Sequence, residues 1–156
     1  MQKIKNKSAL IISILIPIAI GALSALISNN MEVYQTLNKP PLSPPSITFP
    51  IVWTILFILM GISSYIIYMS NSKDKNTALK IYGIQLFFNF CWSIIFFALN
   101  QYLFAFIWLL ILIALIIIMI IKFYNISPLA AYLQISYLLW CIFASYLNLM
   151  IYILNK

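Results

Sequence analysis

The sequence predicts an all-α integral membrane protein, a bundle of about five transmembrane helices forming a single domain over residues 1–156. Three observations predict it. First, the chain is 65% hydrophobic and only 7% charged, whereas a water-soluble domain carries roughly a quarter charged residues. Second, the apolar residues gather into runs close to the about 20 residues that cross a bilayer core. Third, the lysines sit at the ends of these runs rather than inside them. The runs and their short connectors use nearly the whole chain, leaving no room for a soluble domain.

The first span is expected over about 9–27, after Lys3, Lys5 and Lys7. Ala22-Leu23-Ser24 imitates a signal-peptidase site. Pro17, Gly21 and Ala25, however, recur at spacings of four and form a small-residue stripe suited to close packing of a retained helix. Residues of about 28–48 are expected to form a loop. Pro40, Pro41, Pro44 and Pro45 fall in it and Pro50 lies just beyond, and each proline fixes φ and removes a backbone donor. The stretch is too long for a plain connector, and loops of this kind often lid a cavity. The second span follows at about 49–69, then a polar connector over Asn71–Thr77 and a third span at about 79–99. A tight turn at Asn100-Gln101-Tyr102 leads to the fourth span, about 103–123. After a turn at Tyr124–Ser127, Pro128 opens the fifth, about 129–154, at a helix start where its missing N–H costs nothing.

The net charge is +7, from nine lysines against Glu32 and Asp74. In this setting it reads as topology and headgroup contact, not as a nucleic-acid interface. Lys3, Lys5, Lys7, Lys73, Lys75, Lys80 and Lys122 fall on one side, and Glu32, Lys39 and Lys156 on the other. The positive-inside rule then places the N-terminus in, the proline-rich loop and the C-terminus out, in a bacterial-type cytoplasmic membrane. Cys91 and Cys141 lie within apolar runs and read as free buried thiols. The chain has no histidine, so no conventional His-ligated haem or zinc site is expected, and no metal site at all.

No carboxylate falls inside a span, which argues against a proton relay or ion-coupled transport. Nor is there a paired-carboxylate, metal-cluster or Ser/His/Asp arrangement for conventional hydrolysis or phosphoryl transfer. Aromatic and amide groups remain. Trp53, Phe57, Gly61, Ser64 and Tyr65 share a face of the second span; Gln85, Asn89, Trp92 and Phe96 share one of the third. Tyr137, Trp140, Cys141, Ala144 and Asn148 line up on the fifth. Amides facing lipid are costly, so these faces should turn inward around an apolar cavity with a few polar handles, suited to a flat hydrophobic ligand. The bland alternative is that they glue helices together or anchor them at the interface. Trp108 reads as lipid-facing packing. Leu149-x-x-Tyr152-x-x-x-Lys156 meets the loose sterol-contact pattern, with a helix-end anchor as the plainer reading.

These residues resemble the tryptophan-rich sensory protein and translocator protein family, also called peripheral-type benzodiazepine receptors. Tyr34, Leu37-Asn38-Lys39-Pro40 and Pro44-Pro45 look like the family's first loop, and Pro50-Ile51-Val52-Trp53-Thr54 with Gly61 and Tyr65 its second helix. Gln85-x-x-x-Asn89-x-x-Trp92 and Phe96-Phe97 are similar to the third. Ser127-Pro128-Leu129-Ala130-Ala131, Tyr137-x-x-Trp140 and Leu147-Asn148 are similar to the fifth. The resemblance implies a five-helix bundle, often a homodimer, with a pocket beneath the first loop. That pocket binds porphyrins and in some members sterols or benzodiazepine-type ligands, with no resident cofactor. Some bacterial members degrade protoporphyrin under light with two pocket tryptophans, which fall here on Trp53 and Trp140. Asn89 and Tyr34 match further pocket positions, and Pro44 and Phe90 are counted with the expected ligand-binding residues. The departures are Leu42 and Ile47 at two usual loop tryptophans, Val33 before Tyr34, Phe90 after Asn89, Ser136 before Tyr137, and Trp108 at a usual Asp. The lid has lost aromatic surface. Three functions follow as expectations: a porphyrin receptor or transporter, a light-dependent porphyrin-degrading enzyme, and a ligand-free membrane scaffold.

Overall fold

A computed structural model describes residues 6–28 and 31–156. Its elements are α1 (Lys7–Ile27), α2 (Met31–Thr36), α3 (Thr48–Tyr68), α4 (Lys75–Ser93, running into a π turn over Ile94–Ala98), α5 (Tyr102–Ile126) and α6 (Pro128–Leu154). Five of these are long and apolar enough to cross a membrane, and no strand forms among the described residues. The protein is an all-α integral membrane protein. Lys3 and Lys5, counted in the basic flank, lie outside the described residues.

Local chemistry sets the helix ends. The Asn6 side chain accepts from Ala9 N at 3.0 Å and caps α1. Ser127 caps α6 by accepting from Ala130 N, with Pro128 in the first turn. α4 starts earlier than the apolar run suggests, at Lys75, because the lysine ammonium reaches back to the carbonyls of Tyr68 and Ser70, both at 3.3 Å. α5 runs on to Ile126, so Tyr124–Ile126 of the expected turn are helical. The stretch expected to be loop contains the short helix α2.

The helices close into a ring in the order α1, α3, α6, α5, α4. Two glycines set how closely α1 and α3 approach. A Cβ on Gly61 would meet the backbone of Ser13 at 2.7 Å, and one on Gly21 would run into the ring of Phe57. Between α4 and α6, Tyr137 is fully buried and acts as a hub. It accepts from Asn89 Nδ2 at 2.9 Å and donates to Gln85 Oε1 at 2.7 Å. Trp108, expected to face lipid, instead packs between α5 and α4. It stacks on Phe88 at 4.4 Å, and its indole donates to the Phe88 carbonyl at 2.9 Å. An indole N–H left in hydrocarbon would have no partner, and a neighbouring carbonyl supplies one. Cys141 is buried; Cys91 is half-buried; both are free thiols.

Candidate functional site

The half of the bundle capped by α2 and the following loop encloses a cavity of about 450 Å³. Four of the five spanning helices build its wall, and α5 contributes none of it. α1 presents Ile18 and the small residues Gly21, Ala22, Ser24 and Ala25, with Ser28 at its C-cap, and the small residues leave room for the space itself. α3 presents Phe49, Pro50, Trp53, Thr54 and Phe57, with Trp53 stacked on Phe57 at 5.5 Å one turn away. α6 presents Ala144, Leu147, Asn148 and Ile151.

α4 contributes through both its regular turns and its π turn. Asn89, Trp92 and Ser93 lie on the wall at helical spacing, and so do the adjacent residues Phe96 and Phe97. A regular helix turns about 100° per residue and spreads consecutive side chains apart. The widened turn, closed by Leu99 N to Ile94 O at 3.0 Å, brings both phenyl rings to the cavity. Their centroids stand 4.8 Å apart, edge to face.

The polar groups of the wall are largely committed to one another. Trp92 Nε1 donates to Asn148 Oδ1 at 3.1 Å, and Asn148 Nδ2 to the Tyr102 carbonyl at 2.8 Å. Ser24 donates to the Phe90 carbonyl, and Ser93 to Ser28. Such pairing fixes rotamers and leaves a preformed, mostly aromatic chamber.

The roof is pinned to α6. Asn38 N donates to Asn155 Oδ1 at 2.9 Å, and Asn155 Nδ2 returns to the Asn38 carbonyl at 2.8 Å. Tyr146 OH donates to the Pro41 carbonyl at 3.1 Å. Below this clasp Tyr34 is buried against Phe49, Phe96 and Phe97, with the Lys39 ammonium 4.9 Å from its ring centroid. Burial pushes its phenol up from the ordinary value, so it remains a neutral donor at physiological pH. Ala22 and Ala25 of α1 and Pro50 and Thr54 of α3 line the cavity yet are exposed, so the chamber also opens sideways between α1 and α3.

Of the residues singled out in the sequence, Tyr34, Trp53, Phe57, Asn89, Trp92 and Ala144 stand on this wall. Pro44, Phe90, Tyr137, Trp140 and Cys141 do not. Tyr137 and Cys141 are fully buried one to two turns below the α6 part of the wall, where they pack the bundle core. Trp140 sits behind Phe49, at 6.1 Å between ring centroids, with its indole N–H buried and unpaired. Phe90 turns to the opposite half of the bundle, and only its carbonyl meets a wall residue. Pro44 is half-buried in the roof. Leu149 and Tyr152 are half-buried near the end of α6, off the wall, and the Lys156 ammonium lies 6.0 Å from the Tyr152 ring, as a helix-end anchor would. The α1 wall, Phe49, Thr54 and Phe97 were not anticipated. The Gly21 and Ala25 stripe held the signal for α1, and the paired Phe96-Phe97 for the π turn. Among the described residues no group of His, Cys, Asp or Glu could hold a metal.

A profile of the TspO/MBR family matches residues 13–154. Similar curated proteins include the tryptophan-rich protein TspO of Chlorobaculum tepidum, 38% identical over 78% of this chain and 78% of that protein. The tryptophan-rich protein TspO of Archaeoglobus fulgidus is 36% identical over 96% of this chain and 99% of its own length. The translocator protein of Sus scrofa is 32% identical over 86% of this chain and 82% of its own.

Proposed function

The chain belongs to the TspO/MBR family, and from that premise we propose that it is a membrane receptor or transport-type protein that binds porphyrins in the chamber beneath its roof. The observation that carries this reading is the wall itself: about 450 Å³ enclosed by Trp53, Phe57, Trp92, Phe96, Phe97 and Tyr34 with few free polar groups. A planar tetrapyrrole gains by stacking on such rings and by leaving water. Asn89 and Tyr34 are the polar groups best placed to meet its edges. Sterols and benzodiazepine-type ligands share the flat apolar shape and compete for the same space. The lysine-rich end of the bundle faces the cytoplasm and the roof faces outward, in a bacterial-type cytoplasmic membrane.

Titrating the purified protein in detergent with protoporphyrin IX in the dark, following tryptophan quenching, tests the reading. Saturable quenching at micromolar ligand is expected, with Trp53→Ala weakening it about fivefold to tenfold through the lost stacking. Unsaturable quenching, the same in both proteins, means partition into the micelle and would falsify the proposal.

A second reading is light-driven oxidation of the bound porphyrin, with dioxygen as oxidant and indoles as nearby electron donors. Trp53 on the wall, and Trp140 packed behind the wall residue Phe49, favour it. Illumination of the saturated complex distinguishes the two: products that form equally in Trp53→Phe and Trp140→Phe exclude the enzyme.

A further inference from the structure

A second concavity lies in the opposite half of the bundle, away from the roof. α1, α3 and α4 enclose a groove of about 470 Å³ there, lined by Ile16, Ile20, Tyr68, Leu79, Gly83 and Phe87 among others. It is walled chiefly by aliphatic and aromatic carbon. The groove has room to spare at Gly83, where a Cβ would meet nothing within 4 Å.

The groove runs toward the cationic end of the protein. Lys80, Gly83 and Phe87 follow one another at spacings of three and four, so they share one stripe of α4 with Lys80 at its terminal side. Lys75, the first residue of α4, reaches toward the end of α3: its ammonium donates to the Tyr68 and Ser70 carbonyls and lies 5.7 Å from the ring centroid of Tyr68, a groove residue. Lys7 begins α1 and Lys73 lies in the adjoining connector. Asp74 is the one carboxylate at this end among the described residues. The apolar slot and the cations at its mouth differ in kind from the roofed chamber, whose end of the protein carries Glu32, Lys39 and Lys156.

We propose that this groove is a binding site for one anionic phospholipid. An acyl chain lies against Gly83 between α1 and α4, and the phosphate rests on Lys80 and Lys75. Any groove within a bilayer fills with hydrocarbon, so apolar fit alone selects nothing. The charge at the mouth supplies selection, because an anionic headgroup near a lysine cluster is held more firmly than a zwitterionic one. The lipid, not a free phosphate, is the ligand, because the slot extends from the headgroup level into the apolar zone. The inference stands independently of what the roofed chamber binds.

Native mass spectrometry of the delipidated full chain, offered phosphatidylglycerol or phosphatidylcholine, tests it. One retained phosphatidylglycerol is expected, preferred over phosphatidylcholine by about tenfold. Lys80→Gln should reduce that preference toward unity while leaving acyl binding in place. Gly83→Leu, which adds a side chain into open space, should lower retention of both lipids. Unchanged helical circular dichroism and thermal midpoint would show that each variant still folds. Equal retention of the two lipids by the unmodified protein overturns the proposal. So does a preference that survives Lys80→Gln, retention that survives Gly83→Leu, or a groove occluded by a second copy of the chain in lipid-free protein.

Discussion

Tyr137 shows how one side chain can organise a site that it does not line. Its hydroxyl joins Asn89, which is on the cavity wall, to Gln85, which is not. Replacing it with phenylalanine keeps the ring against Trp53, at 6.1 Å between centroids, and removes both hydrogen bonds. Two amides are then left short of partners in an apolar interior, at a cost of about 1–3 kcal/mol. Tyr137→Phe should therefore lower the detergent-unfolding midpoint and loosen the Asn89 rotamer, so porphyrin affinity falls although no wall residue has changed. An unaltered midpoint would mean that the hub contributes nothing. Periodicity gives a face here but not a depth. Tyr137, Trp140, Cys141, Ala144 and Asn148 share a helical face, and a face says nothing about where along it a cavity ends. Only Ala144 and Asn148 reach high enough to line it.

At the scale of elements, the spans were legible because lipid imposes a simple rule on them: long, apolar and nearly free of charge. Their ends were less so. Lys75 lies within α4 because its ammonium returns to carbonyls at the membrane surface, which hydropathy cannot anticipate. α2 is only 6 residues long, too short to show a period. The roof was expected from its prolines, but the clasp that holds it could not be, since Asn38 and Asn155 are 117 residues apart in sequence. Removing the clasp tests its importance. Asn155→Ala should leave helix content unchanged, while amide exchange over residues 38–43 accelerates by about tenfold, consistent with losing about two hydrogen bonds. Unchanged exchange would mean that the roof is held by Tyr34 and its aromatic neighbours alone.

For the whole molecule, the proposed orientation rests on where the charges gather. Lys7, Lys73, Lys75, Lys80 and Lys122 gather at the end opposite the roof. Exposed Gln35, near the roof, and exposed Asn71, in the connector between α3 and α4, report on the two sides. In intact cells a membrane-impermeant maleimide should label Gln35→Cys, and should reach Asn71→Cys only after permeabilisation. The native thiols lie within spans and give the background. The reverse pattern would invert the topology and turn the roof toward the cytoplasm.

α5 closes the ring yet places no side chain in the chamber. Leu109, Leu112, Ile116, Met119 and Phe123 pack into the bundle core, all at 1% exposure or less. In informational terms, α5 is the least specified stave of the barrel. Its inward positions demand volume, and its outward positions demand only oil-solubility. The other four helices must each spell out a surface, atom by atom, for something that is not protein. A mutational alphabet of aliphatic residues should therefore suffice along most of α5, while the same alphabet imposed on α3 or α4 would erase the message.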